Sequence, residues 1–143
     1  HGDEYLREIV AHHVSGQLKV APEHTDDPVL AKMGKPGTDS LLRFKKKFDD
    51  LTRAAGKPQF LTYYLIAAHP GCSDAEMSAL KRFTSEKLRI NPEQVQIFTP
   101  TPSTYSTLMY CTGVDPFTRE PVFVEKDLAK KERQKEIVTR KSR

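Results

Sequence analysis

Apolar positions along the chain switch between helical and extended spacing, with Gly, Pro and Asn marking each switch. From Asp3 to His13, Tyr5, Leu6, Ile9, Val10 and His13 recur at helical spacing and predict a short amphipathic helix ended by Ser15-Gly16. Gln17 to Ala21, QLKVA, alternates instead: Leu18 and Val20 point one way and Lys19 the other, as on a short strand. The strand should stop at Pro22-Glu23-His24. Thr25 or Asp26 then caps a short helix bearing Val29, Leu30 and Met33, with Pro28 tolerated in its first turn. After the break Gly34-Lys35-Pro36-Gly37, Thr38 to Ala55 is the longest predicted helix. Leu41, Leu42, Phe44, Phe48 and Leu51 form its apolar face, Lys45, Lys46 and Lys47 lie mostly on its wet side, and Gly56 stands at the C-cap.

Phe60 to Leu80 organises the rest. Phe60 to Ala68 is a nearly unbroken apolar run, which predicts a strand buried on both faces, as in parallel sheets. Pro70-Gly71 stops it, and Ser73 with Glu76 three residues later has the pattern of a capping box. The helix so started shows Met77, Leu80, Phe83 and Leu88 and runs out near Arg89. Beyond Asn91-Pro92, Gln94 to Phe98 alternates as a third strand and opens into the proline-rich Thr99 to Thr104. Ser103 to Tyr110 is a short helix, Asp115 to Arg119 a turn, Pro121 to Val124 an extended piece, and Lys126 onward a charged helix expected to fray.

Three strands linked by helical crossovers predict an α/β fold with about three side-by-side parallel strands. Three strands cannot close a barrel, so two sheet edges stay open. That shortfall, with a start on a helix-like segment without Met, leads us to expect a piece of something longer.

Charge and composition narrow the function classes. The chain has 143 residues, 37% apolar and 29% charged, enough for one domain with one core. No apolar run approaches the roughly 20 residues of a membrane span, so no membrane partner and a cytoplasmic location are expected. The net charge is +4, yet Lys126 to Arg143 alone carry an excess of five basic over acidic residues, leaving the remainder close to neutral. That distribution, with no aromatic residue among the tail's lysines, argues against nucleic acid. Cys72 and Cys111 are too few for a cysteine-only metal site or a disulfide scaffold, and no metal ligands are assigned.

Parallel strands bring three junctions to one rim: Glu23-His24, His69-Pro70-Gly71 and Thr99-Pro100-Thr101, joined by Lys19 if its side of the strand faces inward. They offer a carboxylate, two imidazoles, an ammonium, hydroxyls and free backbone amides. The set suits a polar ligand with a ribose and a zwitterionic tail, or acid–base work by Glu23 with a histidine. Each residue also has a plain structural role open to it: Glu23 as a loop carboxylate or cap, His24 and His69 bonded to backbone, Lys19 in solvent. The adjacent His12-His13 pair diverges and makes a poor metal site.

At these junctions GQLKVAPEHTDDPVLAKMGKPG, YLIAAHPGCSDAEM and EQVQIFTPTPSTYSTLMYCTGVDPFT resemble the YgiQ-type radical SAM proteins, continuously over nearly the whole chain. The resemblance implies that residues 1–112 are the C-terminal half of a (β/α)6 TIM-like barrel and 113–143 a C-terminal extension. It implies a parent enzyme that cleaves S-adenosylmethionine at a 4Fe-4S cluster to a 5′-deoxyadenosyl radical, acting on an unknown substrate. By position, Lys19 and Glu23 would reach the ribose or methionine carboxylate. His69, Pro70 and Gly71 would lie beside the adenosine, and Phe98 and Thr99 would offer backbone to the adenine. Only Pro70-Gly71 matches a family motif residue for residue; no catalytic residue is assigned. The family's C-x-x-x-C-x-x-C is absent, since Cys72 and Cys111 are 39 positions apart. The chain alone is therefore expected to bind no cluster or cofactor and to be inactive, with the missing N-terminal half of the barrel as its partner. The alternatives are a self-contained α/β module binding nucleic acid or protein through its basic tail, and a stand-alone acid–base enzyme using Glu23 and His69.

Overall fold

A computed structural model describes residues 2–140. Three parallel strands, β1 (Gln17–Glu23), β2 (Phe60–Ala67) and β3 (Gln96–Ile97), form an open sheet in the order β1-β2-β3. The α/β fold with interleaved helices is therefore as the hydrophobic pattern predicts. Helix α1 (Gly2–Glu8) runs into one wider turn at Ile9–His13; α2 (Asp27–Lys32) and α3 (Thr38–Ala54) connect β1 to β2. Helix α4 (Asp74–Phe83), with a wider turn at Thr84–Leu88, connects β2 to β3. Helices α5 (Tyr105–Thr112) and α6 (Leu128–Thr139) follow.

Local chemistry places these boundaries. The Asp26 carboxylate accepts from the Val29 amide at 3.1 Å and starts α2. Ser73 and Glu76 close a reciprocal capping box on α4. Gly56, at φ 64°, follows α3 in a Schellman arrangement in which the Lys57 amide donates to the Thr52 carbonyl and the Gly56 amide to Arg53. Strand β1 does not stop at Pro22 as expected. The pairing jumps from Val20↔Tyr63 to Glu23↔Leu65, so the proline, which has no N–H to donate, sits inside a bulge.

The expectation that β2 is buried on both faces is corrected. Leu61, Tyr63, Leu65 and Ala67 face the helices, while Phe60, Thr62, Tyr64 and Ile66 face away and stay partly or fully exposed. A strand's side chains alternate, so one apolar run supplies two surfaces here. On the covered face, Leu6, Val10, Phe48 and Leu61 form one cluster and Val29, Leu65, Ala67, Cys72, Met77, Leu80, Val95 and Val138 another; Tyr63 touches both.

The charged C-terminal segment is not a frayed end over its described part. Asp127 caps α6, which packs on α4 and buries Val138, Gln134 and Lys131. Lys81 holds its last turn by donating to the carbonyls of Val138 and Arg140 at 2.9 and 2.8 Å. Residues 141–143 lie outside the described part. Among the described residues no helix is long and apolar enough to cross a membrane.

Candidate functional site at the carboxyl rim of the sheet

Strands β1 and β2 end in the same way. Each places a non-glycine residue in the left-handed region, Glu23 at φ 68° and Ala68 at φ 58°, and each follows it with a buried histidine. Such backbone costs about 1–3 kcal/mol and persists where the surroundings over-determine it. At Glu23 the surroundings include Lys35, which pairs with its carboxylate, and at Ala68 a glutamine from α6. The Ala68 amide donates to Gln134 Oε1 at 2.9 Å, and Gln134 Nε2 donates to the Cys72 carbonyl at 3.2 Å. Helix α6 thus braces the β2–α4 turn from behind.

His24 is fully buried. Its Nδ1 accepts from the Asp26 amide at 3.0 Å, so in the neutral ring Nε2 carries the proton and points at Cys72 Sγ, 3.4 Å away. Burial, with His69 nearby, holds its pKa down at about 4. Burial also pushes the Cys72 thiol up to about 12, so it rests protonated. Cys111 is exposed.

His69 lies against Pro70 O at 2.9 Å through Nδ1 and against Ser106 Oγ at 2.8 Å through Nε2. A carbonyl only accepts, so Nδ1 carries the proton and Nε2 accepts from the serine hydroxyl. The Phe98 ring stands edge-on to the imidazole, with centroids 5.0 Å apart. Desolvation lowers the His69 pKa, with the Lys32 ammonium acting the same way, against the hydrogen bond to the Pro70 carbonyl and the charge of Glu23.

Glu23, His69, Pro70, Gly71, Phe98 and Thr99 therefore all occupy the rim. Glu23 pairs with Lys35 at 3.0 Å. The backbone amides expected to be free at the β2 turn are taken: Gly71 donates to Phe123 O at 2.7 Å and Cys72 to His69 O at 2.9 Å. Gly71 has φ 87°, which favours glycine, while a Cβ there would stand 2.7 Å from Lys32 Cδ, a flexible stem that could move aside. The Phe98 amide extends the β3 ladder to Ala67 O, and the Thr99 hydroxyl donates to Ile97 O at 3.4 Å.

Lys19 is not brought to this rim. It projects from the bare sheet face with its ammonium 5.5 Å from the Tyr64 ring centre, lining a groove of about 610 Å³ with Gln17, Thr62, Tyr64 and Gln96. Sequence reasoning did not single out Ser106 or Gln134. A serine two residues into a helix and a glutamine in a charged tail carry no local signal; only their long-range partners mark them.

Among the described residues no group of three or more His, Cys, Asp or Glu is placed to hold a metal ion. No family model matches the chain. Over 140 residues it is 62% identical to a UPF0313 protein of Fusobacterium nucleatum.

The chain is homologous to UPF0313 proteins over nearly its whole length.

The Fusobacterium match covers 98% of the chain and 25% of that relative. UPF0313 proteins of Clostridium perfringens and Methanosarcina acetivorans are each 43% identical over 136 residues, 95% of the chain, and 20% and 18% of their own lengths. The chain thus spans about a fifth to a quarter of these UPF0313 relatives.

Proposed function

We propose that the chain is part of the barrel of a radical S-adenosylmethionine enzyme of unknown substrate, contributing one wall of the cosubstrate site. The observation that carries this is the sheet. Parallel sheets in compact domains are covered on both faces, whereas among the described residues this one packs its core helices on one face and leaves a bare face bearing Gln17, Lys19, Thr62, Tyr64 and Gln96. An uncovered face of mixed polar and apolar side chains with two open edges fits the inner wall of a barrel whose other strands lie elsewhere in a longer protein.

The rim fits S-adenosylmethionine in part. Glu23 offers a carboxylate to a ribose or ammonium, and Phe98 an aromatic ring at the adenine end. His69 and Gly71 have their polar groups engaged, so they shape the wall, and Pro70 with them. Lys19 would face the barrel interior. The 4Fe-4S cluster does not fit these residues, since its thiolates would need at least three cysteines and the chain has two. When bound to such a cluster, S-adenosylmethionine supplies a 5′-deoxyadenosyl radical; the residues here would hold and orient it.

The test is a graft. The chain replaces the matching segment of the Fusobacterium relative, the protein is reconstituted anaerobically with iron and sulfide, and 5′-deoxyadenosine is measured after reduction. The graft should form it as the unaltered relative does. Formation by neither protein contradicts the reading.

A further inference from the structure

We propose that Ser106 and His69 are a nucleophile and general base able to accept an acyl group. This goes beyond the cosubstrate reading and requires neither cluster nor S-adenosylmethionine.

The geometry has the parts such chemistry requires. Ser106 Oγ is 2.8 Å from His69 Nε2, within the 2.6–3.2 Å reach of a base for its nucleophile. The Pro70 carbonyl, 2.9 Å from Nδ1, fixes the tautomer that leaves Nε2 free to take a proton, the role a carboxylate fills in a serine triad. The Glu23 carboxylate favours the imidazolium that proton transfer creates, while the Lys32 ammonium works against it. Phe98 and the surrounding burial keep the ring neutral at rest. Ser106 itself is only partly buried. It lies in the first turn of α5, where the amides of Tyr105 and Ser106 have no carbonyl upstream within the helix. Those of Thr107 and Leu108 are already taken by Thr104. We take these two first-turn amides as the donors that would receive the developing negative charge.

In the step inferred, Ser106 Oγ bonds to the carbonyl carbon of an activated ester while its proton passes to His69 Nε2. The ester C–O bond breaks, the leaving alkoxide takes the proton from Nε2, and acyl-Ser106 and free alcohol result. Water, deprotonated by the same nitrogen, then releases the acid and restores Ser106.

The experiment treats the whole chain with a fluorophosphonate probe and, separately, with p-nitrophenyl acetate. The expected result is one probe per chain, mapped to Ser106 by mass spectrometry, and a burst of one p-nitrophenolate per chain. S106A and H69Q should lose both while keeping the wild-type circular dichroism, and C111S should keep both. The labelling rate should fall on acidification with a midpoint below the ordinary histidine pKa. An unlabelled Ser106 in folded wild-type chain, or labelling elsewhere only, overturns the proposal even if the variants do not fold.

Discussion

The two faces of β2 meet opposite surroundings. On one, Leu65 is 1% exposed and Ala67 0%, packed among Val29, Met77 and Leu80. On the other, Phe60 is 55% exposed and Thr62 and Tyr64 line an open groove beside Lys19. Adjacent residues on one strand thus hold the fold together or leave it open for something else. Stability is concentrated on the helix side, and polar groups collect on the side that helices leave bare.

Substitution on both faces breaks or sharpens that contrast. Leu65→Ala should cost about 2–5 kcal/mol in urea unfolding, through lost burial and the cavity left behind. Thr62→Ala, three residues back along the strand and on the bare face, should stay within about 0.5 kcal/mol. Equal costs would mean that the bare face is as tightly held as the other.

Acid reaches the packed side through His24. Its folded pKa of about 4 lies below the unfolded value of 6.5. The unfolded chain therefore binds the proton first, and stability is lost as pH falls from about 6.5 toward 4. The loss from this one group is about 3 kcal/mol and is complete below the folded pKa. His24→Gln should flatten that part of the stability–pH curve. A wild-type curve that is flat between pH 7 and 4 would show that His24 is not held neutral.

Smaller still is the brace from α6. Gln134→Leu strips partners from the Ala68 amide and the Cys72 carbonyl, and should cost about 1–3 kcal/mol. Exchange of the Ala68 amide hydrogen should accelerate in step; unchanged protection there would separate the helix from the rim. At the bottom of the scale, Arg133→Ala removes an exposed pair with Asp74 and should change stability by less than about 1 kcal/mol.

The tail alternative can be tested on the same helix. Lys131 donates to the Tyr110 hydroxyl at 2.8 Å, Arg133 pairs with Asp74, and Lys135 and Arg140 lie near Glu132 and Glu136. These contacts direct much of α6's charge into its own fold. A binding arm for phosphate would instead show an affinity that falls steeply with salt.

Local patterns made much of this legible. The capping box at Ser73, the glycine after α3 and the parallel crossovers all follow from residues a few positions apart. What stayed hidden depends on distant ones. The run from Phe60 is apolar enough that its two faces cannot be told apart, because Tyr63 and Tyr64 differ only in what lies opposite. Helix α6 buries Lys131, Gln134 and Val138, a stripe with a single apolar member, so no hydrophobic period announces that it docks. The rim was located from strand ends alone. That its histidines are saturated with hydrogen bonds depends on Asp26, Cys72, Pro70 and Ser106, and that Lys19 lies away from it depends on Tyr64.

The central claim is that the bare face is the inner wall of a larger barrel. The direct measurement is the rate of Lys19 acylation in the isolated chain and in the same residues grafted into the Fusobacterium relative. The account predicts that Lys19 reacts as an ordinary exposed lysine in the chain alone and is strongly protected in the folded graft. Equal rates in the two would contradict it.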